Sequence, residues 1–197
     1  MSFLLGAFKF LPKFIFDFLL GRYKEQKQKK RTLERLYLIL TDVRDRALDG
    51  LRTLAAEHNR RNDPFVRNGR KLSEYGPVAS PFKVDFFSLR QLFESQYEDF
   101  TPEQRDGITQ ILQLANDYNA LLDGLRLLDG KNYDEYEWGF AISPAGTLAS
   151  VIYLADKLAL LRERFFIPAP ETATTAVEKV FSGYKIQMHE VVFEEIS

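Results

Sequence analysis

The chain has 197 residues, with 27 Lys and Arg, 28 Asp and Glu, 2 His and no cysteine, for a formal net charge of −1. The missing cysteines exclude disulfides, thiolate zinc sites and cysteine nucleophiles, and two histidines cannot make a His-rich metal site; no cofactor is called for. The charge is unevenly placed: residues 1–31 carry eight basic and two acidic side chains, whereas the other 166 carry 19 basic and 26 acidic ones. An acidic body repels phosphate, which argues against nucleic acid as a main partner.

Residues 2–21 hold six phenylalanines, Phe3, Phe8, Phe10, Phe14, Phe16 and Phe18, around only three charges, Lys9, Lys13 and Asp17. Four residues apart, those charges stack into one polar stripe on a helix whose remaining circumference is apolar. A basic run follows at once: Arg22, Lys24, Lys27, Lys29, Lys30 and Arg31 against the single acid Glu25. An apolar segment followed by a basic run addresses a membrane from its cytoplasmic side, through lipid and then anionic headgroups. The missing cysteines also leave no sign of an oxidising compartment, so a cytoplasm-facing body is expected.

Twenty helical residues reach about 30 Å, roughly the hydrocarbon thickness of a bilayer. Both a spanning and an interfacial helix fit residues 2–21, and Pro12 would kink either. No basic residues precede the apolar run and no small-residue cleavage site closes it, so it does not read as a secretory signal. Charges at membrane depth cost about 2.5–3.5 kcal/mol each unless they face water or one another, so a spanning version would turn Lys9, Lys13 and Asp17 to a pore or to other copies. The alternative is a Phe-rich helix buried against the chain's own core.

Helices with clear stops fill the rest. A helix is expected from about Gln26 to Arg61, with Leu33, Leu36, Tyr37, Leu40, Val43, Ala47, Leu48, Leu51, Leu54 and Ala55 on one face; it either runs on from the membrane segment as a single stalk or breaks at Gly50. Asn62-Asp63-Pro64 ends it, and residues 64–81, rich in Gly, Pro and Ser, are a long loop. A short helix covers Ser88 to about Gln96. Thr101-Pro102-Glu103-Gln104 supplies a capping box for a helix through Ile108, Ile111, Ala115, Tyr118, Leu122 and Leu125, closed by Asp129-Gly130. Ser143-Pro144 opens another through Leu148, Ile152, Leu158 and Leu161, stopped before Pro168. A last helix, about Thr172 to Ser182, is expected to end at Gly183. Residues 82–86 and 184–188 alternate apolar and polar, which suggests two short strands that pair with each other, or a C-terminal strand through Phe193 that adds to a partner's sheet edge; the alternative is one more short helix over Gln187 to Ile196.

Few motifs carry chemistry. The run from Gly124 to Lys131 has the wrong glycine spacing for a phosphate loop and lies at a helix end. Tyr153 and Lys157 match a dehydrogenase tyrosine-lysine spacing without any glycine fingerprint, so they form a helix face. The acidic aromatic stretch 132–138 offers Tyr133, Tyr136 and Trp138 as a partner contact. Arg52 and His58, six residues apart on a helix of an all-helical chain, resemble the Arg-x(4–6)-His signature of the HEPN ribonucleases, although Thr53 stands where that family usually has Asn, Asp or His. The resemblance implies RNA cleavage at a dimer interface, with His58 activating a ribose hydroxyl and Arg52 holding phosphate.

The expectation is therefore an all-α bundle (26–197), with a minor two-stranded element, carried by an N-terminal membrane-associated helix with its basic flank (1–25). It would work without catalysis, self-associating in the cytoplasmic membrane as a pore-forming effector, small channel or scaffold. Membrane lipid, further copies of itself and a protein partner are the expected contacts. The alternatives are a membrane-tethered HEPN-like ribonuclease and a soluble adaptor whose N-terminal helix docks in a partner's groove.

Overall fold

The computed structural model describes residues 13–62, 82–127, 143–166 and 173–188, apart from the side chains at 14, 62, 126, 127 and 173. Over these residues the chain is all-α: α1 (Lys13–Asn62), α2 (Phe87–Ser95), α3 (Pro102–Leu127), α4 (Pro144–Leu161) and α5 (Ala173–Gly183), with 3-10 turns at Tyr97–Asp99 and Arg162–Arg164. The readings that concern residues 1–12, the 64–81 loop, the 132–138 stretch and residues 189–196 lie outside them.

Helix α4 sits at the centre. Its sequence is apolar nearly all round because α1, α3 and α5 all pack against it. Together with its 3-10 turn, Pro144–Arg164 is long and apolar enough by composition to cross a membrane, with mean hydropathy 1.3 over its apolar window, but 61% of that window is buried inside the protein. Burial in the bundle accounts for its composition. Against it α1 sets Leu36, Leu40, Val43, Ala47, Leu51 and Leu54, all buried at spacings of three and four. Helix α3 adds Ile108, Ile111, Tyr118, Leu122 and Leu125, and α5 adds Val177, Val180 and Phe181. Gly107 lets α3 come close to the end of α4, since a Cβ there would lie 2.7 Å from the Phe165 ring.

Helix starts follow local chemistry. Thr101 and Gln104 form the reciprocal capping box, with Gln104 N–H donating to Thr101 Oγ1 (3.2 Å) and Thr101 N–H to Gln104 Oε1 (3.0 Å). Ser143 Oγ accepts from the Gly146 amide at 3.0 Å and opens α4. Helix α1 passes through Gly50 without a break, so the stalk and the core helix are one element of 50 residues. A triad then ties three helices: Tyr184 Oη donates to Asp156 Oδ2 (2.7 Å), and Arg44 Nη1 lies 3.5 Å from Asp156 Oδ1. Burial, and then this hydrogen bond, push the Tyr184 phenol up to about 12, so it stays a donor well into alkaline conditions.

Among the described residues there is no strand, and the two alternating segments do not form one. Residues 82–86 form no regular element and lie along α3, where Asn119 Nδ2 donates to the Val84 carbonyl (3.3 Å) and Tyr118 Oη to that of Phe82 (3.4 Å). Past α5, Asn59 Nδ2 donates to the Gln187 carbonyl at 2.7 Å. Helix side chains take up backbone groups that a strand partner would otherwise use.

Helix α5 ends at Gly183 as expected, and its closure falls just beyond. Ile186 N–H donates to the Phe181 carbonyl (2.8 Å) and Lys185 N–H to that of Ser182 (3.2 Å), a Schellman closure whose left-handed residue is Lys185, at φ 56°. Gly183 stays inside the last turn. A non-glycine residue in that conformation costs about 1 kcal/mol, so Lys185→Gly is expected to stabilise the bundle by about that much in urea unfolding.

Candidate functional site

From Lys13 to Arg31, α1 touches little of the protein. Every described side chain there is exposed except Gly21, and the first buried residues are Thr32 and Leu33. The exposed set includes Ile15, Phe16, Phe18, Leu19, Leu20 and Tyr23, with Phe18 52% and Tyr23 62% accessible. Burial of this segment against the chain's own core is therefore not what the described residues adopt. At about 100° per residue, the six apolar side chains sweep about 200° of the helix, and Lys13, Asp17, Gly21 and Lys24 fill an arc of about 80°. A helix seated on one side of a soluble core needs an apolar stripe of only about 100°. The wider arc fits a surround of lipid or of several helices.

Of the phenylalanines expected at the membrane, Phe16 and Phe18 lie on this exposed stretch, Phe14 is within α1 with its side chain undescribed, and Phe3, Phe8 and Phe10 precede the described residues. In the polar stripe Lys13 and Asp17 are exposed one turn apart, and Lys9 precedes the described residues. The basic run is fully displayed, with Arg22, Lys24, Lys27, Lys29, Lys30 and Arg31 all exposed. The Arg22 guanidinium stands 5.0 Å from the Phe18 ring centroid, covering apolar surface while its charge stays in water. Lys27 faces Lys30 and Arg31 at spacings of three and four, a repulsion that weakens an isolated helix and that an anionic surface would relieve.

Arg52 and His58 do not share a face. Six residues amount to about 600° of rotation, which leaves them about 120° apart. The Arg52 guanidinium is 57% exposed and 3.7 Å from Asp49, whereas His58 is 5% exposed. His58 belongs instead to a buried polar patch at the end of α1 that sequence reading missed, though the Glu57–Arg61 spacing of four is its signature. Glu57 accepts from fully buried Arg61 (Nε–Oε1 2.6 Å) and from Arg60 (2.8 and 3.0 Å). Burial alone would raise the Glu57 carboxyl, but the hydrogen bonds from Arg60 and Arg61 outweigh it and hold the pKa below the ordinary carboxylate value. Among the described residues no group of His, Asp and Glu is placed to hold a metal ion. The proposed partner residues Tyr133, Tyr136 and Trp138 lie outside the described residues.

Comparison with protein-family models, with curated proteins and with solved structures found no match.

Glu57→Gln is expected to lower stability by about 3 kcal/mol at neutral pH, because Arg61 is left buried without its counter-charge. Since the folded carboxylate pKa is depressed, its contribution is present above about pH 4.3 and is lost as the pH falls through the folded value. Urea midpoints across the acid range should fall for the parent chain and stay flatter for the variant.

Proposed function

We propose that the chain is a non-enzymatic membrane-anchored protein of the cytoplasmic face, whose N-terminal helix enters the bilayer and brings copies together as a pore-forming effector, small channel or scaffold. The observation that carries this reading is the bare half of α1: an apolar arc of about 200° at Ile15–Tyr23, followed at once by a cationic run. Apolar surface of this kind is covered in water, by lipid or by protein. Lipid is favoured over a soluble partner's groove by the width of the arc and by six basic side chains set directly beyond it. The polar stripe of Lys13 and Asp17, joined by Lys9, supplies the contact between protomers, since opposite charges in a membrane are satisfied by pairing. Because α1 is continuous, an assembly made by the bundle would be transmitted rigidly to the membrane helix.

Flotation on liposomes tests the anchor. The full chain should float and resist both high-salt and alkaline carbonate washes, whereas a chain lacking residues 1–31, which keeps every buried core position from Thr32 onward, should stay in solution. Release by salt alone would mean a surface anchor and would remove the pore. Lys13→Leu combined with Asp17→Leu should leave flotation intact and abolish ion leakage from the vesicles. Unchanged leakage in that double variant would contradict an assembly through the stripe.

A further inference from the structure

Along the bundle α1 keeps one side exposed, and the charges on that side are sorted. Lys24, Arg31 and Arg35 come first, then Leu38, then Asp42, Asp45 and Asp49, every one of them exposed. From Arg31 onward the spacing alternates between four and three. At about 100° per residue these side chains stay within an arc of about 80°, turned away from the core face.

Surface helices gain from opposite signs at spacings of three and four and lose from like ones. Here Asp42, Asp45 and Asp49 repel one another, and so do Arg31 and Arg35. Part of that repulsion is relieved locally, since Arg44 reaches Asp45 (2.8 Å) and Arg52 stands 3.7 Å from Asp49. Lys24, Arg31, Arg35 and Asp42 join no ion pair among the described residues. Between the two blocks Leu38 is 69% accessible, and among the described residues no other large apolar side chain of α1 beyond Thr32 is exposed.

This sorting fits a second α1 in one orientation. Laid parallel and in register, two copies set base on base and acid on acid. Turned end for end about Leu38, each basic block lies on the other copy's acidic block, and the two leucines meet at the centre. Arg35 stands three residues before Leu38 and Asp42 four residues after it, so each lies opposite its counterpart in the other copy, twice over by the two-fold symmetry. The exposed arc of α1 over residues 31–60 spans about 120°, and a helix seats on a stripe of about 100°.

We propose that a second copy of the chain docks antiparallel on this face of α1, as a two-fold dimer centred on Leu38, with the basic block of each copy against the acidic block of the other. Exposed ion pairs are individually weak and screened by salt, so the dimer is a low-affinity one that forms at low ionic strength. Its consequence for function rests on the membrane reading above. The stalks leave an antiparallel pair at opposite ends, so both cannot enter one bilayer end-on. Lys24 and Arg31 serve either the other copy's carboxylates or anionic headgroups, which makes the pair a resting form that gives way when the stalk meets lipid.

Arg35→Asp, Asp42→Arg and the two combined test the pairing. Both side chains are exposed and outside any ion pair, so all three variants should keep the parent's helical circular dichroism. Sedimentation of the full chain in a neutral detergent, at low and at high salt, reads the association. The parent should be a dimer that parts at high salt. Each single variant sets like charges face to face twice and should weaken dimerisation about tenfold, and the combined variant should restore it. A parent that sediments as a monomer at low salt, single variants that dimerise like the parent, or a combined variant as weak as the single ones would each overturn the antiparallel pair. Flotation reads the membrane separately: a chain that pairs in this way yet floats on no vesicle would uphold the dimer and overturn the anchor.

Discussion

A helix of 50 residues is about 75 Å long, and no other described helix exceeds 26 residues, or about 39 Å. That mismatch governs the molecule. The bundle can cover α1 only as far as its own length allows, and the cover begins at Thr32. From there to Arg61, α1 is a wall of the core, set against α4. Upstream it carries large apolar side chains that stay exposed. Solvent alone cannot be the intended environment of Phe16, Phe18 and Leu19 together on one helix, so the bare half of α1 defines the functional question.

The two ends of the bundle are built differently. At the far end of α1, charge is drawn inward: Glu57, His58 and Arg61 are buried, and the Glu57 carboxylate is held between two guanidinium groups. At the near end, charge is displayed: Lys30, Arg162 and Arg164 stand exposed around a groove, beneath a stalk with six further basic residues. A protein that meets an anionic surface end-on would carry this polarity, with a satisfied interior where nothing binds and unpaired cations where something does. The acidic remainder of the body would then be directed away from that surface.

What could be read from residue order alone depended on how local the cause was. The capping box at Thr101 and the Ser143 cap involve groups three residues apart, so their sequence patterns suffice. The core faces of α1, α3 and α4 follow from apolar spacing, and the merging of the stalk into α1 was open because Gly50, a candidate break, lies between Lys13 and Asn62. The strand-like alternation in 82–86 misled because irregular chain lying on a helix can show the same alternation, its backbone being held by Asn119 and Tyr118, over thirty residues away. Gly183 ends α5 as its place in the sequence suggests, but the left-handed position falls to Lys185, because that register lets Ile186 close on Phe181. Arg52 and His58 are near in sequence but face apart once wound on a helix.

The central claim is that the outer half of α1 is completed by a membrane. Hydrogen exchange across residues 13–31 of the full chain, in solution and on anionic vesicles, tests this most directly, because it reports cover on that stretch alone. The account predicts fast exchange in solution, where the helix is bare and its lysines repel, and strong protection on vesicles, with residues 33–61 protected in both. Equal exchange of residues 13–31 with and without vesicles would contradict it.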